Sequence, residues 1–241
     1  RQCGYDRIVS FDMGGTTAKI CLIDDGAPHY SRNFEVAREY RFLKGSGLPI
    51  RIPVIDMVEI GAGGGSVAAV DELSRIQIGP ESMGSQPGPA CYGRGGSKGT
   101  VTDADVVLGR IDPDRFAGGS FQLHKDRAER AVETSVGTSL GLSVVDAALG
   151  ISEVVEENMA NAARVHAIEL GSALSERTMV AFGGAAPLHA VRLAEKLSID
   201  RIVVPKGAGV GSAVGFLIAP VAYEIAQSRF MPIDHRFDAA A

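Results

Sequence analysis

Phe11-Asp-Met-Gly-Gly-Thr-Thr-Ala-Lys19 lies between two short apolar stretches and decides how the chain is read. Val9 leads in, and Ile20, Leu22 and Ile23 lead out with an alternation broken only at Cys21, the pattern of strand, tight glycine turn, strand. Two glycines let backbone N–H groups approach an anion, Thr16 and Thr17 add hydroxyl donors, and Asp12 stands where a carboxylate holds a metal or orients a water. Such a turn suits a polyphosphate with its magnesium. It equally suits an ordinary hairpin whose Gly-Gly serves only geometry and whose Asp12 is solvated.

The strand pattern extends outward from this turn. Residues Arg7–Phe11, Ala18–Asp24 and roughly Pro28–Val36 read as three short antiparallel strands, with Asp25-Gly26 as the second turn. Residues 51–60 alternate and form a further strand that empties into Gly61-Ala-Gly-Gly-Gly-Ser66. Residues 66–122 are poorly periodic, and Ser85–Gly96 holds too much Pro and Gly for a regular element. Thr102-Asp-Ala-Asp105 caps a short helix through Leu108, and 124–137 reads as helix. Ser143-Val-Val-Asp146 has capping-box spacing and starts a long helix that stops at Gly171. Its inward face steps through Ala148, Ile151, Val155, Met159, Ala162 and Val165, and Gly150 weakens its first turns.

Strand–glycine–helix then occurs twice. Thr178–Phe182 meets Gly183-Gly184 and a helix from Pro187 to Leu197. Arg201–Pro205 meets Gly207-Ala-Gly-Val-Gly-Ser212 and a helix to Ile218. Repeated units of this kind imply a parallel sheet with crossover helices. The order β-β-β-α-β-α-β-α is that of an α/β, ribonuclease-H-like domain, the building block of the actin, sugar kinase and Hsp70 ATPases. It predicts a mixed sheet with a loop-rich insertion at about 66–142 and a single lobe over 1–241.

Composition narrows the function classes. Of 241 residues, 45% are hydrophobic and 22% charged, as in ordinary globular proteins. The net charge of −5, without a basic patch interleaved with aromatics, argues against nucleic acid as a partner. No apolar run reaches membrane-span length and the N-terminus has no signal-peptide core, so the expectation is a cytoplasmic protein without a membrane partner. The start without Met and the low-information end point to a piece of a longer chain. Cys3, Cys21 and Cys91 are scattered, which favours reduced thiols, and no zinc-site spacing occurs. The 30 glycines cluster at 61–65, 93–99, 118–119, 183–184 and 207–215, marking designed turns rather than a flexible linker.

Five motifs together resemble the hydantoinase A/oxoprolinase family. They are the 11–19 hairpin, Val54-Ile-Asp-Met-Val-Glu-Ile-Gly-Ala-Gly-Gly-Gly-Ser66, Pro87-Gly-Pro-Ala-Cys-Tyr-Gly93, Thr102-Asp-Ala-Asp105 and Phe182-Gly-Gly-Ala-Ala-Pro-Leu-His-Ala190. The wording resembles the hydantoin-utilisation A subunits most. The resemblance implies an actin-like ATPase module of two lobes, each supplying a phosphate hairpin. This chain has one such hairpin and resembles the second lobe, so the missing N-terminal lobe is an implied partner, as is a hydantoinase B-type subunit.

Also implied are ATP and Mg2+ as cofactors and ATP-driven opening of a cyclic amide, with the isolated piece inactive. By the same resemblance, Gly14, Gly15, Thr16 and Thr17, with Lys19, grip the β- and γ-phosphates. Asp12 binds magnesium or positions the attacking group, Gly61, Gly63 and Gly64 line the cleft, and Gly183, Gly184 and Ala185 pack against adenosine. Ala186 stands where family members often carry Gly. Alternatives are a non-catalytic ATP-binding module, a β-type subunit of an ATP-dependent ketone carboxylase, and a sugar kinase.

The remaining motifs carry weaker signals, and Gly61–Gly65 either lines the cleft or is a strand exit. Gly61–Gly65 lacks the Gly-Lys-Ser/Thr ending of a P-loop. Gly207–Ser212 lacks the third glycine and the downstream acid of a dinucleotide fingerprint and reads as a tight turn able to approach a nucleotide from the side. Asp56 and Glu59, three apart on a strand, face opposite ways and are not a catalytic pair. Asp103 and Asp105 read as helix caps before metal ligands. His189 reads as structural, with a ligand or acid/base role if it faces the cleft. Cys91 reads as packing.

Overall fold

The architecture follows from which residues each strand can hide. In the computed structural model, which describes residues 4–32, 34–37, 39, 45–221 and 223, Arg7–Met13 (β1) pairs antiparallel with Ala18–Asp24 (β2), setting Asp12 opposite Lys19. Val9, Phe11 and Met13 alternate into the core and are fully buried, as are Ala18, Ile20 and Leu22 on β2. Cys3 lies outside the described residues.

The expected third strand is broken. Ala27–Pro28 (β3) covers only the far end of β2. The chain then leaves the sheet as an arm of short ladders, in which Tyr30–Ser31 (β4) and Phe34–Val36 (β5) go out. Leu48–Ile50 (β6) and Val54–Ile55 (β7) return, pairing β5 with β6 and β4 with β7. Met57–Ile60 (β8) then takes up the rest of the β2 edge, pairing Cys21 with Met57 through Ala18 with Ile60. Pro28 has no N–H to continue the ladder, which is why the strand leaves there.

Residues 66–122 hold more structure than their composition advertises. Ser66–Val70 (β9) and Ile76–Ser82 (β10) form a two-stranded hairpin with a register shift between Ile78 and Ser82. Gly79 and Pro80 sit at that irregularity, where a bulged edge tolerates them. Val101–Val107 (α1) follows. Its N-cap is Thr100 in a capping box with Asp103, two residues earlier than expected from Thr102. Lys125–Val132 (α2) runs through a π turn, Glu133–Gly137, into the short Thr138–Leu140 (α3).

Val144–Glu169 (α4) is the central helix, started by Ser143, whose hydroxyl accepts from the Asp146 N–H. It ends where Gly171 takes φ +62°. Ala148, Ile151, Val155, Met159 and Ala162 are fully buried, but Val165 is 38% exposed. Three residues fall short of a 3.6-residue turn, and the buried stripe drifts instead to Ala163, His166 and Ala167. Gly150 has a packing reason, since a Cβ there would stand 2.7 Å from Ile76 Cδ1.

Thr178–Phe182 (β11) lies parallel to β1, then come Ala186–Leu197 (α5), Arg201–Val203 (β12), parallel to β11, and Gly211–Ile218 (α6). The sheet order is β12-β11-β1-β2, with β3 and β8 sharing the last edge. That is the mixed sheet expected of the ribonuclease-H-like order, with α4 and α5 as crossovers. No single helix among the described residues is long and apolar enough to cross a membrane.

Candidate functional site

The β1–β2 turn closes on one hydrogen bond, from Gly14 N–H to the Thr17 carbonyl at 3.1 Å. Gly15 and Thr16 form its exposed tip. Among the described residues no acceptor is bonded to the N–H of Gly15 or Thr16. A Cβ placed on Gly14 or Gly15 would meet no atom within 4 Å, so both backbones border open space. Exposed, unused donors on a glycine turn are what an anion needs.

A second glycine run supports this turn from behind. Gly64 N–H donates to the Gly14 carbonyl at 3.0 Å and Gly65 N–H to the Gly15 carbonyl at 2.7 Å. A Cβ on Gly63 would lie 2.5 Å from Thr16 N, so glycine is obligatory there. Gly63, Gly64 and Gly65 are buried, and Gly61 packs against Pro80. Thr102 extends the support, since both its N–H and its hydroxyl donate to the Gly64 carbonyl at 2.8 Å. Next to it, fully buried Asp103 accepts from the N–H groups of Ala90, Cys91 and Thr100 and from the Thr100 hydroxyl. The aspartate thus ties the Pro- and Gly-rich loop to α1, with its oxygens occupied by internal donors. Burial, reinforced by Asp103, pushes the Cys91 thiol far above its ordinary range, so it holds its proton and packs.

The turn forms one side of an open cleft of about 270 Å3. Asp12, Gly14, Thr17, Lys19, Gly183, Gly184, Gly209 and Ser212 line it. The cleft therefore unites six of the sequence-nominated residues. Gly15 and Thr16 share their turn, Gly61, Gly63 and Gly64 sit behind it, and Ala185 N–H donates to the Met13 carbonyl at 2.9 Å. Gly209 and Ser212 belong to the turn read from sequence as a tight strand-to-helix turn able to approach a nucleotide from the side. Gly183 has φ +95° and donates to the Ala208 carbonyl at 2.8 Å. A Cβ on Gly183 would collide with Asp12 Oδ1 and with the Met13 carbonyl. From the other side the Ser212 hydroxyl donates to Asp12 Oδ2 at 2.8 Å. Helices α5 and α6 begin beside this rim, at Ala186 and Gly211, which brings their N-terminal ends near it.

Lys19 Nζ lies 3.8 Å from Glu59 across the β2–β8 ladder. Both groups are about half exposed, so the pair contributes little and leaves the lysine available. Asp56 and Glu59 form no joint site. Among the described residues no group of three or more His, Cys, Asp or Glu could hold a metal by itself. A single carboxylate beside phosphate-accepting donors fits magnesium, which typically binds through one or two carboxylates plus substrate phosphates and water.

A buried ionic network outside the cleft lining joins three helices. His189 on α5 is fully buried, with Nδ1 3.0 Å from Glu156 Oε1 on α4. Its Nε2 lies 3.3 Å from Asp105 Oδ2 on α1, aligned for charge attraction more than for a full hydrogen bond. Arg110 reaches Ser152, Glu156 and Asp105 from the outside. Burial alone would push the His189 pKa down, but the two carboxylates outweigh it and hold it at about 9. Burial likewise opposes the Glu156 charge, and His189, Ser152 and Arg110 together bring its pKa below the ordinary value. Asp105 is therefore an ion-pair partner rather than a cap, and His189 is fully buried in the network and does not line the cleft.

Sheet order, hairpin and the two glycine turns define a domain of the actin-like ATPase fold. The family model described as Hydantoinase/oxoprolinase matches residues 1–225, and the chain belongs to that family. An uncharacterised protein of Methanocaldococcus jannaschii is 42% identical over 95% of this chain and 34% of its own. The caprolactamase subunit alpha of Pseudomonas jessenii is 36% identical over 97% of this chain and 32% of its own. The crystal structure of that ATP-dependent caprolactamase superposes with a TM-score of 0.75 at 36% identity, covering 89% of this chain and 30% of the other. A nucleotide-free acetone carboxylase structure gives 0.78 at 30% identity, covering 89% of this chain and 29% of the other. The chain spans about a third of the length of the curated relatives it matches.

Proposed function

We propose that the chain is one lobe of an ATP-dependent cyclic-amide hydrolase of the hydantoinase/oxoprolinase type, and that its cleft holds the phosphates of Mg·ATP. The observation that carries this is the cleft itself. Asp12, Gly14, Thr17 and Lys19 face Gly183, Gly184, Gly209 and Ser212 across one open space, with the exposed donors of Gly15 and Thr16 on the same turn. Gly14, Gly15, Thr16, Thr17 and Lys19 take the β- and γ-phosphate oxygens. Asp12 is the metal ligand and the catalytic carboxylate. Gly183, Gly184 and Ala185 border the adenosine. Gly61, Gly63 and Gly64 act on the nucleotide through the turn they brace.

Bound ATP supplies a phosphoryl group that turns a poorly electrophilic amide into a reactive one. The chain's own residues neutralise and orient the transferring group. An opposing lobe completes the site, and a B-type subunit takes part in ring opening. The subgroup of hydantoin-utilisation A subunits, a cytoplasmic setting and an insertion at 66–142 belong to the same proposal. The likeness to acetone carboxylase favours ATP-dependent ketone carboxylation as a second reading.

ATP hydrolysis by the intact protein with its B-type subunit, measured against a panel of hydantoins, oxoproline and lactams, tests the proposal. Stimulation by a cyclic amide without bicarbonate is expected. Turnover that requires bicarbonate and a ketone would select the carboxylase, and no stimulated ATP hydrolysis at all would exclude both.

A further inference from the structure

Asp12 has a partner 200 positions away in sequence. Ser212 opens α6, and its hydroxyl donates to Asp12 Oδ2 at 2.8 Å. The other carboxylate oxygen faces Gly183, where a Cβ would collide with it. The carboxylate is thus fixed on both sides, by a hydrogen bond and by close backbone contact. The placement of Ser212 is itself built by neighbouring contacts. Gly183 N–H donates to the Ala208 carbonyl at 2.8 Å, which pins the turn before α6 to the end of β11. Gly211 approaches Phe182 so closely that a Cβ would stand 3.1 Å from the ring. A glycine immediately before Ser212 therefore lets the first turn of α6 come within bonding range of β1. Both Ser212 and Asp12 line the same cleft.

We infer that Ser212 is a positioning residue for Asp12, holding the carboxylate in the orientation that Mg·ATP chemistry requires. This rests on the cleft being the Mg·ATP site. The hydroxyl takes up one lone pair of Oδ2 and, with Gly183 against Oδ1, holds the carboxylate in a single orientation before a cation arrives. In this role Ser212 acts through Asp12, although it also lines the cleft. Its loss therefore lowers turnover more than nucleotide affinity.

Two readouts on Ser212→Ala and Ser212→Thr test it in the intact protein. Crystal structures of the ligand-free variants show whether Asp12 keeps its orientation, and steady-state ATP hydrolysis separates kcat from KM. The expected result for Ser212→Ala is an Asp12 carboxylate turned away from its position, kcat down about fivefold, KM for Mg·ATP within about twofold and an unchanged melting temperature. Ser212→Thr, which keeps the hydroxyl, should restore both. An unmoved Asp12, or unchanged kcat in an active enzyme, overturns the inference alone. A wild-type protein that neither binds nor hydrolyses Mg·ATP overturns the function, while the crystal structures still decide whether Ser212 positions Asp12.

Discussion

His189→Leu destabilises the fold by about 3–5 kcal/mol, the usual consequence of removing one partner of a buried ion pair. Asp105 and Glu156 are 2% and 1% exposed. Without the imidazolium between them, one arginine, Arg110, must serve both. The network links α1, α4 and α5, so its failure loosens the helix that follows Gly183-Gly184. Urea denaturation followed by circular dichroism measures the loss, and a cost under about 1 kcal/mol would show that the network contributes nothing net.

The same histidine gives the protein a pH signature. Its folded-state pKa of about 9 lies above the ordinary 6.5, so the bound proton favours the folded state. This contribution is complete below pH 6.5 and falls away as pH rises through 9. At 1.36 kcal/mol per unit, about 3 kcal/mol is at stake. Stability should therefore decline from pH 7 to pH 10 in the wild type, and His189→Leu should flatten that decline.

Asp12→Asn lowers ATP hydrolysis by the intact enzyme by about 10²–10³-fold, the scale seen when one preorganised electrostatic group is lost at a reacting phosphoryl or acyl centre. The amide keeps the size of the carboxylate and still accepts from Ser212. Only the charge that faces the metal disappears, and the melting temperature should hold. Measured kcat on the most active cyclic amide decides the point. Turnover within about threefold of wild type would remove Asp12 from the chemistry.

Much of this was legible in the sequence, for identifiable reasons. Strands β1, β2 and β11 show clean two-residue alternation or apolar runs bounded by Gly or Asp, and the long helix carries a cap, a stripe and a terminal glycine. The glycine hairpin compresses its residue pattern into nine consecutive positions, so it could be read locally. What was hidden depends on tertiary pairing. The third sheet position is divided between β3 and β8, about thirty residues apart in sequence, and no local pattern announces that split. Strand β10 is masked by Gly79-Pro80 at its bulge. Val165 was misplaced because a three-residue step was counted as a full turn.

The site divides in the same way. Asp12, Gly14, Thr17 and Lys19 were visible as a motif. Ser212 was not, because its link to Asp12 spans the whole domain and exists only once α6 docks against β11. The role of Gly63 and Gly64 as a brace for the turn also needed the fold, since a glycine run looks alike whether it faces a ligand or another backbone. His189 stood out as a lone histidine after a glycine pair. Its two carboxylate partners come from distant helices.

Titration of Mg·ATP into the intact protein, wild type beside Gly14→Val, tests the account most directly. A Cβ at Gly14 meets no protein atom within 4 Å, and Gly14 lines the cleft, so valine there is expected to take up cleft space without disturbing the fold. The account predicts saturable binding by the wild type, weakened at least about a hundredfold in Gly14→Val at an unchanged melting temperature, as expected when bulk displaces a phosphate from its donors. Equal affinity in the two proteins, or no binding by the wild type, would contradict it.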